Sequence, residues 1–420
     1  MRRLLPLLGA LAMLLGLAPT GLAASQRPHS AQGDLDATLG YDMSRIGGSS
    51  GAMVVDLNTG RTLFAANAGV GRLPASTEKV YTTSTALIRF GPDATLTTSV
   101  FGTGWMGKRG IWHGTLYLRG GGDPTFGSDG FIGSAYGGTG AAVQTLAASL
   151  RRHGIHGVVG HVVGDESYFD SLRGTSESGF QFDPYMEGSL SALAFDRGIT
   201  ADGSTYIYHP ALYAAQRLVG VLPGAGISVS ASTGVGQTPK GAKRLATVTS
   251  PSIARLVAMT NTPSDNFFAE MLLKGLGARF GAGGSTAAGA GVVIGLLARR
   301  FGIHPKLVDG SGLSYADSTS PSQMVTALTK LRYNHAFWDS LAVGGESGTL
   351  ADEMRGTRAQ GNCRGKTGTL SSVANLVGYC HARNGHTLAF AFYGNGVGDT
   401  ASVHSIEGND MAVALADYSG

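Results

Sequence analysis

Residues 74–79 read Pro-Ala-Ser-Thr-Glu-Lys, and the pattern that follows them predicts a helix that ends at Gly91-Pro92. Ser76 is expected in the first turn of this helix, where its N–H has no intrahelical partner and the helix dipole favours negative charge. Lys79 lies three residues further on and therefore on the same face. Its amine can take the proton of Ser76, provided that burial and other cations keep it neutral near pH 7. Taken alone, the string also fits a capping serine followed by a solvated lysine.

A second string, Ser264-Asp265-Asn266, precedes an apolar pattern with four-residue spacing from 268 to 276, which predicts a helix. Alternate residues of a turn can point the same way, so Ser264 and Asn266 are expected to face a cleft while Asp265 faces the protein. The hydroxyl can relay a proton to a leaving amine, and the amide can hold an amide of the substrate. A plain Asp or Ser helix cap is the alternative for this string.

A third string, residues 366–369, reads Lys-Thr-Gly-Thr and lies on a predicted strand. Lys366 supplies positive charge for a substrate carboxylate and raises the cost of protonating Lys79. Thr367 can bind the same carboxylate. A P-loop is excluded here, because that motif requires a glycine at position 360, where Gln360 stands.

The last two residues of this string complete the expected chemistry. Gly368 lets the backbone of a substrate come close, and the N–H of Thr369 can form an oxyanion hole together with that of Ser76. The three strings, in this order and each beside the expected local structure, predict a serine acyl-transfer site in which lysine takes the place of histidine.

The chain resembles the D-alanyl-D-alanine carboxypeptidase/endopeptidase family, the class C low-molecular-mass penicillin-binding proteins, over nearly its whole mature length. Besides the three strings, matching phrases stand at residues 74–77, 121–124, 164–165, 169–170, 191–193, 309–314 and 348–350. The resemblance implies that Ser76 is the nucleophile and Lys79 its base. It also implies that Ser264, Asn266 and Lys366 are their partners.

The chain departs from the family after Leu313-Ser314. The family often carries an arginine there and an asparagine two residues on, whereas this chain has Tyr315 and Asp317. An arginine can meet a carboxylate of the stem peptide, so the preference for a diaminopimelate-type substrate is weakened. Asp123, in a Gly-Gly-Asp-Pro phrase, can hold the ammonium of such a side chain, and a turn-forming Asp-Pro is the alternative.

The first residues predict export. Residues 1–23 combine Arg2-Arg3, an apolar run from 4 to 17 and a small-residue cleavage site, as in a signal peptide. Cleavage leaves no transmembrane anchor and places the protein in the periplasm or another extracytoplasmic cell-wall space. Removing two arginines changes 32 basic against 28 acidic side chains to 30 against 28, which is a net charge of +2 and no nucleic-acid footprint.

No metal or cofactor is expected. His153, His156 and His161 have a spacing that metal ligands can have, but no cysteine or acidic cluster accompanies them, and they are expected to be surface histidines. The two cysteines, Cys363 and Cys380, are equidistant from a predicted hairpin turn. An antiparallel hairpin sets them opposite each other and predicts a disulfide in an exported chain, with two buried thiols as the alternative.

The fold class expected is α/β, in the α+β sense, with a β-lactamase or penicillin-binding transpeptidase-like domain. Five strands from both ends of the chain form a mainly antiparallel sheet flanked by helices. They are expected at 52–55, 61–66, 363–369, 373–380 and 387–393.

The gap between Lys79 and Ser264 predicts an insertion. The peptidase domain is expected at 34–97 and 251–420, and the strand-rich insertion at 98–250. By resemblance, the insertion divides into two accessory domains, 98–123 with 197–250, and 124–196.

The function predicted is a serine-type D-alanyl-D-alanine carboxypeptidase that also has potential D,D-endopeptidase activity. Its partners are peptidoglycan stem peptides, with β-lactams as inhibitors. One alternative is a serine β-lactamase, which needs a base for deacylation; Glu270 and Glu346 are not well placed for that role. The other alternative is a non-catalytic protein that binds the cell wall.

Overall fold

The computed structural model describes residues 30–200 and 202–420, so the predicted signal peptide lies outside the described residues. The strands are β1 Gly51–Asp56, β2 Thr62–Ala66, β3 Thr95–Met106, β4 Ile111–Arg119, β5 Gly157–Asp165, β6 Ser228–Val235, β7 Lys243–Ser252, β8 Ala342–Val343, β9 Cys363–Leu370, β10 Val373–His381 and β11 Thr387–Asn395. The helices are α1 Ala31–Ile46, α2 Lys79–Phe90, α3 Asp129–Tyr136, α4 Val143–Arg152, α5 Pro210–Val221, α6 Ile253–Asn261, α7 Asn266–Phe280, α8 Thr286–Leu296, α9 Pro321–Leu331, α10 His335–Ser340, α11 Thr400–Ser405 and α12 Ala412–Asp417. None of the described helices is both long and apolar enough to cross a membrane.

The main sheet has the strand order β2-β1-β11-β10-β9-β8, with antiparallel neighbours throughout. Its five long strands are the five that the sequence predicts, and the expected fold class is confirmed. The sixth strand, β8, has only two residues, which is too short to leave a pattern in the sequence. Because β1 pairs with β11, the two ends of the chain build one sheet.

Helices cover both faces of this sheet, which explains why β10 and β11 are buried along almost their whole length. On β11, Ala389, Ala391 and Tyr393 pack into the core beneath α2, α6, α7 and α9. The alternate residues Phe390 and Phe392 pack against α1 and the C-terminal helices on the other side. The first of these two cores contains α2 and α7, the helices that carry the first and second strings of the predicted site.

The predicted helices are present with small changes of boundary. At α9, the side chains of Ser320 and Gln323 form a capping box, with Pro321 at the first helical position. Helix α8 ends at Leu296 and continues as a π-helical turn, Leu297–Phe301. Helix α1 was not expected, because only every fourth residue or so of its polar sequence is buried.

The segment between the first two site strings forms a second sheet, with the strand order β6-β5-β4-β3-β7. Strands β3, β4 and β7 are antiparallel neighbours, while β4, β5 and β6 are parallel. Helices α4 and α5 pack on it and close a separate apolar core. Strand β5 lies between β4 and β6, so this sheet runs across the division expected between 124–196 and the rest of the insertion. The domain boundaries themselves stay a prediction.

A disulfide joins Cys363 and Cys380, which are direct partners in the β9–β10 ladder and are both buried. Replacing both cysteines by serine is expected to lower the free energy of unfolding by about 3 kcal/mol, because the unfolded chain regains the entropy of an open loop. Urea unfolding of the variant and of the oxidised wild type measures the difference. Reduction of the wild type with a thiol is the matched control, and equal midpoints in all three samples would contradict the prediction.

Candidate active site

Ser76 lies in a short 3₁₀ turn, Ala75–Glu78, that leads directly into α2. The helix predicted from the sequence therefore begins with a tighter turn, and Lys79 becomes its first α-helical residue. The turn is fixed from β10, where the amide of Asn375 donates to the carbonyls of Leu73 at 3.0 Å and Pro74 at 2.8 Å. This anchoring holds the Ser76 hydroxyl at the mouth of a cleft.

Lys79 is completely buried and its Nζ donates to three acceptors. These are Ser76 Oγ at 2.8 Å, Asn266 Oδ1 at 2.6 Å and the Ser311 carbonyl at 2.7 Å. Burial lowers the pKa of Lys79 to about 8, against the opposing effect of nearby carboxylates, of which Asp309 is the strongest. The amine is thus positioned to exchange a proton with the serine near neutral pH.

Three buried carboxylates, Glu78, Glu270 and Asp309, lie near this lysine, and a fourth, Asp317, lies near these three. Burial, with Asp309 nearby, raises the pKa of Glu270 to about 7 and that of Asp317 to about 8. Burial raises the pKa of Glu78 well above its usual value, and Asp317 contributes to the rise. The cluster therefore retains protons near neutral pH, which limits the negative charge that would otherwise stabilise the ammonium form of Lys79.

Two of these carboxylates also shape the loop beside the lysine. Glu270 Oε1 accepts from the N–H of Gly310 at 2.7 Å and of Ser311 at 2.8 Å. Asp309 accepts from the N–H groups of Gly312 and Ser314. The Ser311 carbonyl is thereby held in position to receive Lys79. Glu270 binds this loop and does not line the cleft. This agrees with the expectation from the sequence that Glu270 is not well placed to activate water for deacylation.

The second and third strings meet at Lys366. Its Nζ donates to Ser264 Oγ at 2.7 Å and to the Thr367 carbonyl at 2.9 Å. Burial, and then the charge of Lys79, lowers the pKa of Lys366 well below its usual value. Ser264 has φ +69°, a left-handed conformation, and lies directly before the N-cap residue of α7. The sequence suggested that the ammonium group of Lys366 lowers the pKa of Lys79. In the structure, burial is the main cause of that lowering.

Gly368 was expected to lie beside the backbone of a substrate, but in the structure it lies against the backbone of the serine turn. A Cβ at this position would lie 2.7 Å from the Pro74 carbonyl and 3.1 Å from the Ser76 nitrogen. The glycine is therefore needed for the approach of β9 to the serine turn, and not only for room beside a substrate. Thr369 lines the cleft with Ser76, and its hydroxyl contacts His404 Nε2 at 2.7 Å.

The cleft has a volume of about 590 Å³ and brings the serine turn together with residues of the insertion. It is lined by Ser76, Glu177, Ser178, Asp183, Pro184, Tyr185, Asn266, Leu313, Tyr315, Thr369, Leu370 and Ser371. Asp123 is not among them. One oxygen of its buried carboxylate accepts from the Thr125 N–H at 2.8 Å and from the Thr125 hydroxyl at 2.7 Å, as the turn-forming alternative expects, while the ammonium-binding role stays a prediction.

Two residues of the insertion, Arg197 and Tyr185, contact the second string, Ser264-Asp265-Asn266. Arg197 donates to both oxygens of Asp265, at 2.5 and 3.2 Å, while Asp265 caps α7 through the Phe268 N–H. The Asn266 amide donates to the Tyr185 carbonyl at 2.7 Å. Asp265 thus faces the protein as predicted, whereas the contributions of Arg197 and Tyr185 left no signal in the sequence. No local pattern links a lone arginine to a carboxylate 68 residues away.

Replacing Arg197 by methionine is expected to destabilise the protein by about 3 kcal/mol or more, because the Asp265 carboxylate loses its partner in a mostly buried place. The rate of acylation by penicillin is expected to fall as well, since the Ser264–Asn266 turn loosens. Urea unfolding and the labelling rate measure the two effects. The double variant Arg197→Met, Asp265→Asn is expected to recover part of the stability, because the asparagine oxygen can still cap α7; additive losses would contradict the pairing.

This fold and this arrangement of serine, two lysines and asparagine define a serine peptidase of the penicillin-binding class. The chain matches the model of the D-Ala-D-Ala carboxypeptidase 3 (S13) family over residues 31–186 and 185–417, and it belongs to that family. The family and the enzyme class predicted from the sequence, a serine-type D-alanyl-D-alanine carboxypeptidase, are confirmed.

Similar proteins cover most of the chain. It is 29% identical to a D-alanyl-D-alanine carboxypeptidase of Actinomadura sp., over 97% of this chain and 88% of that protein. It is 31% identical to carboxypeptidase DacB of Mycolicibacterium smegmatis, over 83% of this chain and 76% of that protein. The crystal structure of penicillin binding protein 4 from Haemophilus influenzae matches with a TM-score of 0.72 at 20% identity, over 86% of this chain and 93% of that one, which establishes the shared fold.

Proposed function

We propose that the protein removes the terminal D-alanine from peptidoglycan stem peptides through an acyl-enzyme on Ser76. The observation that carries this proposal is the 2.8 Å contact between Lys79 Nζ and Ser76 Oγ, in a buried site that opens onto the cleft. Membership of the carboxypeptidase family and the names of the relatives support it.

In the acylation step, Ser76 Oγ attacks the carbonyl carbon of the penultimate D-alanine while neutral Lys79 accepts the hydroxyl proton. The N–H groups of Ser76 and Thr369 are proposed to stabilise the oxyanion. The amide bond to the terminal D-alanine then breaks as its nitrogen takes a proton from Ser264. Lys366, 2.7 Å from Ser264 Oγ, can resupply that proton. Water hydrolyses the ester in the second half of the reaction.

The leaving residue carries a free carboxylate, and the third string offers groups that suit it. Lys366 and Thr367 are proposed to bind this carboxylate, whose negative charge would favour the ammonium form of Lys366. Recognition of a chain end in this way favours carboxypeptidase over endopeptidase action. Asn266, which already touches Lys79 at 2.6 Å, is proposed to orient the amide of the substrate.

An exported location, in the periplasm or another extracytoplasmic wall space, fits this substrate and the leader-like residues 1–23. β-Lactams are proposed to acylate Ser76 and to leave slowly. We also propose that 34–97 with 251–420 act as the peptidase domain and that 98–250 act as an accessory region. The contacts of Arg197 and Tyr185 with the second string support a role for the accessory region in shaping the cleft.

The proposal is tested by incubating the purified protein with a pentapeptide that ends in D-Ala-D-Ala and with a cross-linked peptide dimer, and weighing the products. Loss of one alanine from the pentapeptide is the expected result. Peptides that bind without being cut would favour a non-catalytic binding protein, and rapid turnover of nitrocefin would favour a β-lactamase. Labelling with a fluorescent penicillin reports the acyl-enzyme independently of the peptide chosen.

A further inference from the structure

A second cavity, of about 550 Å³, lies where the peptidase helices meet the sheet of the insertion. It collects four arginines: Arg89 from α2, Arg279 from α7, Arg119 from β4 and Arg244 from β7. None of the described residues that line it is acidic. Four positive charges around one cavity are a large excess for a chain whose formal net charge is only +4.

Among the described residues, most of these arginines are not paired with a carboxylate. Arg119 has one distant carboxylate, Asp165, at 3.8 Å. Within the described residues, Arg89, Arg244 and Arg279 form no ion pair with a carboxylate. The cavity thus differs from the surroundings of Arg197, where the guanidinium is neutralised by a paired acid.

Two of the four arginines, Arg89 and Arg279, contact an aromatic ring. The guanidinium of Arg89 lies over the Phe280 ring at 4.5 Å from its centroid, and that of Arg279 at 5.9 Å from the same ring. The Phe90 ring packs edge-on against Phe280 with centroids 5.0 Å apart. These contacts reduce the freedom of the two side chains, so less entropy is lost when they bind a ligand.

Helix ends explain part of the cluster but not all of it. Arg89 and Arg279 lie in the last turns of α2 and α7, where cations interact favourably with the helix dipole. Arg119 and Arg244 come from strands and have no such reason to face the same cavity. Tyr168 lines the same cavity as the helix arginines and the strand arginines. Burial raises the pKa of its phenol, and the charges of Arg279 and Arg119 oppose that rise. One arginine from a helix and one from a strand therefore lie near the same phenol.

We propose that this cavity is a binding site for a multivalent, phosphate-bearing anion, separate from the catalytic cleft. Guanidinium groups bind phosphate oxygens with paired hydrogen bonds, and closely spaced phosphates match several cations better than a single carboxylate does. The concave shape favours an anion held inside the cavity over the flat surface of a membrane. Arg89 lies roughly 15 Å along α2 from Lys79, so the site is distinct from that of the reaction.

The test uses inorganic triphosphate as the probe, with calorimetry and thermal unfolding of the purified protein as readouts. The wild type is expected to bind at low salt, and affinity is expected to fall as the salt rises from about 0.01 M to about 0.15 M, which shortens the Debye length from about 30 Å to about 8 Å. The variant Arg89→Gln, Arg279→Gln is expected to lose at least about tenfold in affinity. These readouts need no peptidase activity.

The matched control is Arg299→Gln, Arg300→Gln, which removes the same charge from exposed positions outside the cavity. It is expected to bind triphosphate as the wild type does. An equal loss of affinity in this control would overturn the proposal, because binding would then follow net charge only. No binding of triphosphate by the wild type at low salt would also overturn it, as would binding to phosphatidylglycerol vesicles without binding of triphosphate.

Discussion

Replacing Ser76 by alanine is expected to abolish labelling by fluorescent penicillin and to lower the release of D-alanine by at least roughly 10³-fold. The Ser76 hydroxyl is the group proposed to form the ester, so its loss is expected to remove the covalent route and to leave binding and oxyanion stabilisation. Fold and stability should hardly change, because the side chain lies at the mouth of the cleft and makes one hydrogen bond, to Lys79. Stopped assays of alanine release and gel fluorescence measure the effect.

Ser134→Ala is the matched control, since this exposed serine in α3 only bonds back to its own helix. It is expected to react like the wild type. If the Ser76→Ala variant still formed a stable adduct with penicillin, a different nucleophile would have to exist, and the assignment of Ser76 would be wrong.

Replacing Lys79 by methionine is expected to slow acylation by about 10²- to 10⁴-fold, the range that general bases contribute. Methionine fills the buried space as far as Cε but has no amine that could accept a proton. Lys79→Arg should be equally slow, because a guanidinium stays charged and cannot act as a base. Lys330→Met, on the exposed side of α9, is the control for removal of a lysine.

The same lysine predicts the pH dependence of the wild type. The base must be neutral, and burial lowers the pKa of Lys79 to about 8. Below that value the ammonium form dominates, so the acylation rate should rise about tenfold per pH unit and level off above pH 8. Stopped-flow acylation across this range measures the profile. A rate that stays flat between pH 6 and 9 would contradict a role for Lys79 as the base.

Local patterns in the sequence were sufficient to predict that Ser76 and Lys79 lie close together. Ser76 and Lys79 share one helical turn, so their contact follows from spacing alone. The cysteines and the strands around Lys366 follow from hairpin pairing, which is also local. The order of the three strings along the chain is sufficient to predict the class of enzyme.

The remaining parts of the site depend on contacts between distant segments. Glu270 reaches the loop at Gly310, and His404 reaches Thr369, without any shared pattern in the sequence. The burial of Asp123 and its contact with Thr125 also became visible only in the folded protein. Burial, which dominates the pKa of Lys79, is itself a property of the packed protein.

The sequence by itself therefore predicted Ser76 as the nucleophile and Lys79 as its base, and it determined the class of enzyme and the five long strands of the main sheet, because helical and strand periodicities are local properties of the chain. Only the tertiary structure shows which carboxylates lie near Lys79 and how Arg197 of the insertion pairs with Asp265. It also shows that four arginines line one cavity. The physical reason is that charge and solvation depend on distances through space, and residues that are remote along the chain set those distances.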